Sequence, residues 1–276
     1  MLNNSPGPIG VFDSGYGGLT ILKEFTKQLP QYDYIYLGDN ARAPYGGRSF
    51  YVVYHYTLQA VNHLFSQGCQ LVILACNTAS AKALRTIQQN DLPGIDPERR
   101  VLGVIRPSAE AVGNLTKSGE VGILGTTGTI LSESYPIEIQ KLHPEIKTYQ
   151  QACPLWVPLV ENGEYNNEGA NYFIEKDIHS LLSQSKHIDT IILGCTHYPL
   201  IVETIRKFVP AHIKLISQDT IIADSLKDYL IRHPEIENKC TKEGRINFQT
   251  TDIADVFSTR GEIFYGEKIK SEQITL

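Results

Sequence analysis

Along most of the chain, runs of four or five apolar residues alternate with longer stretches in which apolar side chains return every third or fourth position. The short runs read as buried parallel strands and the longer stretches as amphipathic helices, because a strand sandwiched between layers is apolar on both faces and a covering helix on one. Strands are predicted at 8–12, 33–37, 71–75, 101–105, 121–125, 146–150, 190–194, 212–216 and 245–249. Between them, Leu19, Leu22, Phe25 and Leu29 share a helical face over 18–29, and Val53, Ala60, Val61 and Leu64 share one over 49–66 before Gly68 stops the run. Further helices are predicted near 78–89, 107–117, 132–142, 167–184, 199–208, 219–232 and 252–260, with Pro107 and Pro199 suited to first turns. This order predicts an α/β fold with mainly parallel sheets.

The pattern also repeats. Leu71-Val-Ile-Leu-Ala-Cys76-Asn77-Thr78 and Thr190-Ile-Ile-Leu-Gly-Cys195-Thr196-His197 are both apolar runs closed by a small residue, a cysteine and polar side chains. Ile9-Gly-Val-Phe-Asp-Ser14-Gly15 and Val121-Gly-Ile-Leu-Gly-Thr126-Thr127 match in the same way, and the two pairs are separated by nearly equal lengths of chain. A duplication with one short insertion explains both matches, so two similar α/β domains are expected. No Gly/Ser tether marks a border. The repeat therefore sets it, with 1–106 plus 217–276 as the first domain and 107–216 as the second, the last sixty residues returning to pack on the first.

Composition narrows the function. With 42% hydrophobic and 20% charged residues in 276, the chain can build ordinary globular cores, and no stretch approaches the roughly 18 apolar residues of a membrane span. The start, Met1-Leu-Asn-Asn-Ser-Pro-Gly-Pro, has neither the basic nor the apolar region of an export signal. A net charge of −5 argues against nucleic acid as a partner. Five widely spaced cysteines, an odd number without a C-x-x-C pair, argue for free thiols in the cytoplasm rather than a disulfide framework. No spacing of Cys and His suggests a structural metal site.

The polar chemistry gathers where parallel sheets bind ligands, just beyond strand C-termini. Five loops fall there: 13–18, 38–47, 76–80, 125–129 and 195–199. Hydroxyls, amides and turn N–H groups dominate them, which is equipment for holding carboxylates or phosphate. Gly15 and Gly17 make only a weak dinucleotide fingerprint, since Thr20 stands where its third glycine would be. None of the loops carries a lysine for a pyridoxal Schiff base, so a cofactor-independent reaction is expected. Two matched thiols are what such a racemase needs, one to take a proton from a substrate carbon and one to return a proton from the opposite side.

Taken singly, Cys76 and Cys195 read equally well as small hydrophobes at buried strand ends. A catalytic thiol needs a base, a positive charge or aligned dipoles nearby. Both cysteines precede predicted helices, His197 stands two residues from Cys195, and Asp13 ends a strand from which it could assist Cys76. Cys69 and Cys240, in polar loop contexts, and Cys153, before Pro154, read as structural; spacing alone makes Glu161 a solvated turn residue, and Tyr51, Tyr54 and Tyr56 cover a helix surface.

Five motifs carry a resemblance: F-D-S-G-x-G-G-L at 12–19, G-D-x-A-R-x-P-Y-G at 38–46, A-C-N-T-A-S at 75–80, C-P-L-x-V-P-L-V-E at 153–161 and G-C-T-H-Y-P at 194–199. On these the chain resembles the glutamate racemases of the aspartate/glutamate racemase superfamily, from about Ile9 to the 250s. The resemblance implies two α/β domains related by a pseudo-twofold axis, with the site in the cleft between them. It implies Cys76 and Cys195 as the two acid/base residues, Asp13 and His197 as their assisting groups, and Glu161 as a further cleft carboxylate. It implies substrate contacts from Asp13, Ser14, Pro44, Tyr45, Gly46, Cys76, Asn77, Thr78, Thr126, Cys195, Thr196 and His197, with Tyr45 and Gly46 using backbone N–H groups. No cofactor and no metal are implied; the partner is a small-molecule substrate, glutamate, a homodimer is allowed, and the role is D-glutamate supply for peptidoglycan. Only the resemblance favours glutamate over aspartate. The chain departs from many relatives at Ser108, where glycine is common, and at Trp156, where phenylalanine is frequent. Two competing readings are a cysteine hydrolase using Cys195 with His197 and a regulatory binding protein that keeps the pocket but acts on a partner.

Overall fold

The computed structural model describes residues 5–276, so Met1–Asn4, where no leader is expected, lie outside the described residues. Two parallel sheets organise the chain. The first begins with β1 (Ile9–Asp13), β2 (Tyr34–Gly38), β3 (Leu71–Leu74) and β4 (Arg100–Gly103). The second consists of β5 (Glu120–Gly125), β6 (Lys147–Ala152), β7 (Thr190–Gly194) and β8 (Lys214–Ile216). After β8 the chain returns to the first sheet, where β9 (Ile246–Thr250) pairs with β2 and β10 (Ser271–Gln273) pairs with β9.

The spatial orders are β10-β9-β2-β1-β3-β4 and β6-β5-β7-β8. Leaving out the returning strands, both halves follow one scheme, in which the first strand lies between the second and third and the fourth pairs with the third. In that scheme connections leave the first and third strands toward opposite sides, which opens a crevice beyond their C-termini. Asp13 and Cys76 stand there in one half, Thr126 and Cys195 in the other. Strands β1, β2, β3 and β7 are buried throughout, as continuous apolar runs in covered parallel sheets should be. The edge strand β6, KTYQQA, is only partly covered.

Several elements differ from their sequence-based bounds, each for a local reason. The helix expected at 107–117 spans Ile105–Val112, so Ile105 leaves the preceding strand. The helix expected at 78–89 is broken into Asn77–Lys82, Leu84–Thr86 and a wider turn over Ile87–Asp91. That near 132–142 is two helices, Thr127–Leu131 and Ser134–Leu142, divided by Glu133 in a left-handed conformation. A short helix at Trp156–Glu161 is hidden in sequence because its six residues include Pro158 and read as one apolar run. Strand β10 has no apolar signal; its Glu272 instead accepts hydrogen bonds from Asn247 and Gln249 on β9. Cys69 and Cys240, expected in polar loops, are both buried, because Gly7 bridges to Cys240 and its N-terminal segment covers that end of the sheet.

The chain passes between the halves twice, through residues 104–108 and again after β8, where Asp219–Arg232 forms a helix packed on Leu19–Gln28 of the first half. One apolar core reaches across both sheets, with Trp156 and Tyr198 in ring contact at 4.8 Å behind Cys195. Among the described residues, no helix is long and apolar enough to cross a membrane.

Candidate active site

Cys76 occupies the N-cap of Asn77–Lys82, and its sulfur accepts the Ala79 N–H at 3.4 Å. Ser14 Oγ, from the turn after β1, lies 3.4 Å from the same sulfur. Burial nevertheless pushes the Cys76 thiol up to about 12, and the nearby Asp13 charge acts in the same direction. Asp13 itself is 1% exposed: its Oδ2 accepts the Gly15 N–H at 2.9 Å, and its Oδ1 is buried without a hydrogen-bond partner. Burial raises the Asp13 carboxyl above the usual range, against the opposing pull of His197.

Cys195 is set differently. Its Sγ lies 3.8 Å from His197 Nδ1, and His197 Nε2 lies 3.0 Å from Glu161 Oε1. Glu161 ends the Trp156–Glu161 helix that sequence could not resolve, which is how an ordinary-looking turn residue reaches the site. Burial alone would lower the His197 ring; its bonds to Cys195 and Glu161 outweigh that and raise it to about 10, so the ring is held as a cation near neutrality. Phe264 meets the ring edge-on at 5.3 Å.

Both sulfurs line one cavity of about 220 Å³, below the usual range for drug-sized ligands and suited to a small acid. Its lining includes Ser14, Pro44, Tyr45, Gly46, Asn77, Thr78, Thr126, Glu161, Thr196 and His197. Asp13 lies behind this lining rather than in it. Thr78 Oγ1 and Thr126 Oγ1, one from each half, are 2.9 Å apart, and the Gly128 N–H donates to the Gly46 carbonyl at 2.7 Å across the same gap. Tyr45 donates its phenol to Asp39, which also accepts from Arg42 and Thr251, so the Tyr45 hydroxyl is engaged away from a ligand.

The halves also touch at Gly17. A methyl group on its Cα would collide with Thr196 Oγ1 and the His197 ring, so glycine is required by close approach here. Among the described residues, no group of three or more His, Cys, Asp and Glu is arranged to hold a metal ion.

The Asp/Glu/Hydantoin racemase family matches residues 18–224. The chain belongs to that family. This racemase is 39% identical over 262 residues to a glutamate racemase of Geobacter metallireducens, covering 95% of this chain and 93% of the other. Among solved structures it superposes on a glutamate racemase isoform of Bacillus anthracis with a TM-score of 0.88 at 33% identity, covering 98% of each chain. It superposes on the glutamate racemase of Francisella tularensis, solved with D-glutamate, with a TM-score of 0.85 at 34% identity, covering 99% of this chain and 98% of the other.

Pro154, Val157 and Pro158, which the motif at 153–161 contains but to which sequence gave no role, supply apolar lining of the racemase's cavity. Sequence also missed Asp39, Tyr135 and Gln218, buried polar residues that hold the lining in place. Asp39 stood in the motif at 38–46 without an assigned role, and for Tyr135 and Gln218 the signal was that polar residues lie inside or beside apolar runs.

Proposed function

We propose that this racemase interconverts L- and D-glutamate by proton transfer between the substrate α-carbon and two thiols. The observation that carries the reading is that Cys76 and Cys195, from equivalent strand ends of two like-ordered sheets, line one small cavity. In one direction the Cys195 sulfur, paired with the already protonated His197, takes the α-proton and leaves the C–H electron pair on carbon. Cys76 then returns a proton to the opposite face, and the configuration is inverted. Reversal exchanges the roles.

The α-hydrogen is far less acidic than a thiol, so the barrier must be lowered mainly by donors around the α-carboxylate, in a site that excludes water. Asn77, Thr78 and Thr196 are assigned to that carboxylate. The backbone of Tyr45 and Gly46, with Thr126, is assigned to the distal one. Asp13 acts from behind Cys76, and Glu161 through His197. A hydrolase built on Cys195 and His197 would leave a second buried thiol in the same cavity without a task, so the two-thiol reading is preferred.

The choice of glutamate is supported by its curated relatives and by the solved relative that holds D-glutamate. Circular dichroism of the purified chain with each enantiomer of glutamate and of aspartate, with no cofactor added, tests the reading. Loss of optical activity with glutamate is expected, and an unchanged signal from all four acids refutes it. A supply of D-glutamate to peptidoglycan, a homodimer and a cytoplasmic location go with this proposal. So does a domain division at 106/107 and 216/217, near the two chain passages. Light scattering tests the dimer, and limited proteolysis tests the division.

A further inference from the structure

Asn77 adjoins Cys76, lines the cavity, and has its amide gripped from behind. The Tyr135 hydroxyl donates to Asn77 Oδ1 at 2.6 Å, and Asn77 Nδ2 donates to Gln218 Oε1 at 2.8 Å. Gln218 Nε2 donates to the Tyr135 hydroxyl and to Ser108 Oγ, each at 2.6 Å, and Ser108 Oγ donates to the Val104 carbonyl at 3.2 Å. All four side chains are buried, none more than 4% exposed. Asn77, Tyr135 and Gln218 thus close a ring of hydrogen bonds, and with the branch to Ser108 both N–H groups and the oxygen of the Gln218 amide are used. Asn77 keeps one amide N–H outside the ring.

The four residues come from separate parts of the fold. Asn77 follows β3 in the first sheet, and Tyr135 stands on the Ser134–Leu142 helix of the second half. Ser108 lies on the Ile105–Val112 helix, at the first passage between the halves, and Gln218 in the turn after β8, where the chain passes back. Gln218 and Ser108 therefore join the two passages to each other, and Tyr135 and Gln218 join them to the residue beside a reactive sulfur. Packing alone cannot fix which way an amide points, because its oxygen and nitrogen ends have nearly the same shape; donors and acceptors can. Swinging the halves apart would leave several of these buried groups without partners, which opposes opening.

We propose that Gln218 is a positioning residue for racemisation. With Ser108 and Tyr135 it ties the hinge to Asn77, so that the angle between the halves sets where the remaining Asn77 N–H points. This rests on the two-thiol reading, in which Asn77 meets the α-carboxylate. Breaking the ring should weaken the hold on substrate more than it slows the proton transfers.

Steady-state constants in both directions, measured with folded fraction and Tm, test this for Gln218→Met, Tyr135→Phe and Ser108→Ala. Gln218→Met and Tyr135→Phe should each raise KM about ten-fold, the equivalent of one net hydrogen bond, with kcat falling less. Ser108→Ala should raise it about three-fold, and the double variant of Gln218 and Tyr135 should be little worse than the poorer single one, because both break the same ring. A merely structural role would lower Tm and active fraction while leaving KM alone. Parental KM in Tyr135→Phe and Ser108→Ala proteins that fold like the parent, or fully additive effects, would overturn the proposal. A parent chain that fails to racemise glutamate would instead overturn the functional reading, so the two failures are distinguishable.

Discussion

The wall that carries Cys76 and the wall that carries Cys195 are built to one plan and charged to different ones. Each sulfur follows the third strand of a parallel sheet, and the first four strands of each half share one order. Behind Cys76 stand a neutral hydroxyl, a backbone N–H and a buried carboxyl with one unpartnered oxygen. Behind Cys195 stands a histidine bonded to a carboxylate. Burial raises Cys76 to about 12 and so favours its proton-bearing form, whereas His197, raised to about 10, is held positive. Like strand order places the two sulfurs alike without giving them like electrostatics. For a two-thiol racemase that inequality is useful, because one side must hold a proton to give while the other accepts one.

The sharpest way to break the comparison is to remove either sulfur. Cys76→Ala and Cys195→Ala should each lower racemisation by at least about 10²–10⁴-fold, the range of a lost acid/base group, measured by circular dichroism. Near-parental rates in either variant would reduce that wall to scaffold. The next effect is on stability and belongs to the Cys76 half. Asp39→Ala strips a buried carboxylate from Arg42, Tyr45 and Thr251, and should cost about 3 kcal/mol in urea unfolding while loosening the Pro44–Gly46 turn.

On the other wall, Glu161→Gln should lower kcat about ten-fold, since it weakens a charge-assisted bond to His197. His197 binds its proton more tightly in the folded chain than in the unfolded one. The stability it adds is therefore complete below its ordinary value of 6.5 and is lost as pH rises through about 10. In Glu161→Gln that loss should be smaller and complete at lower pH; thermal unfolding from pH 6 to 11 that superposes on the parent's would remove Glu161 from the relay. The smallest effect belongs to the contact between the halves. Thr126→Val removes the nearer of the two hydroxyls that meet Thr78 Oγ1 and should cost about 1 kcal/mol of substrate binding, read by calorimetry with glutamate.

How much of this could be read from sequence followed the range of the interactions. Strands such as β1 and β7 are legible because both faces are buried and their residues say so one by one. Both cysteine loops are legible because the same pattern, an apolar run closed by a small residue and a cysteine, occurs twice in the chain. Glu161 is the instructive case, because its spacing suits a solvated turn and only the motif placed it in the cleft. The helix that carries it to His197 has too few residues, and too apolar a composition, to show a period. Gln218 and Tyr135 were illegible for another reason: their partners lie 141 and 58 positions away along the chain, and one residue's type cannot announce so distant a bond. Ser108 stood out as a departure from its relatives, but the bond it makes to Gln218 became visible only when the passages between the halves were seen side by side.

Gly17 acts as a gauge of the gap. With hydrogen in place of a side chain, it lets the turn after β1 press against Thr196 and His197. The thinnest possible spacer thus sets how near one lobe can come to the other. A single added methyl would work as a shim, widening the interval that a migrating proton has to cross, although every acid, base and carboxylate clamp would still be present.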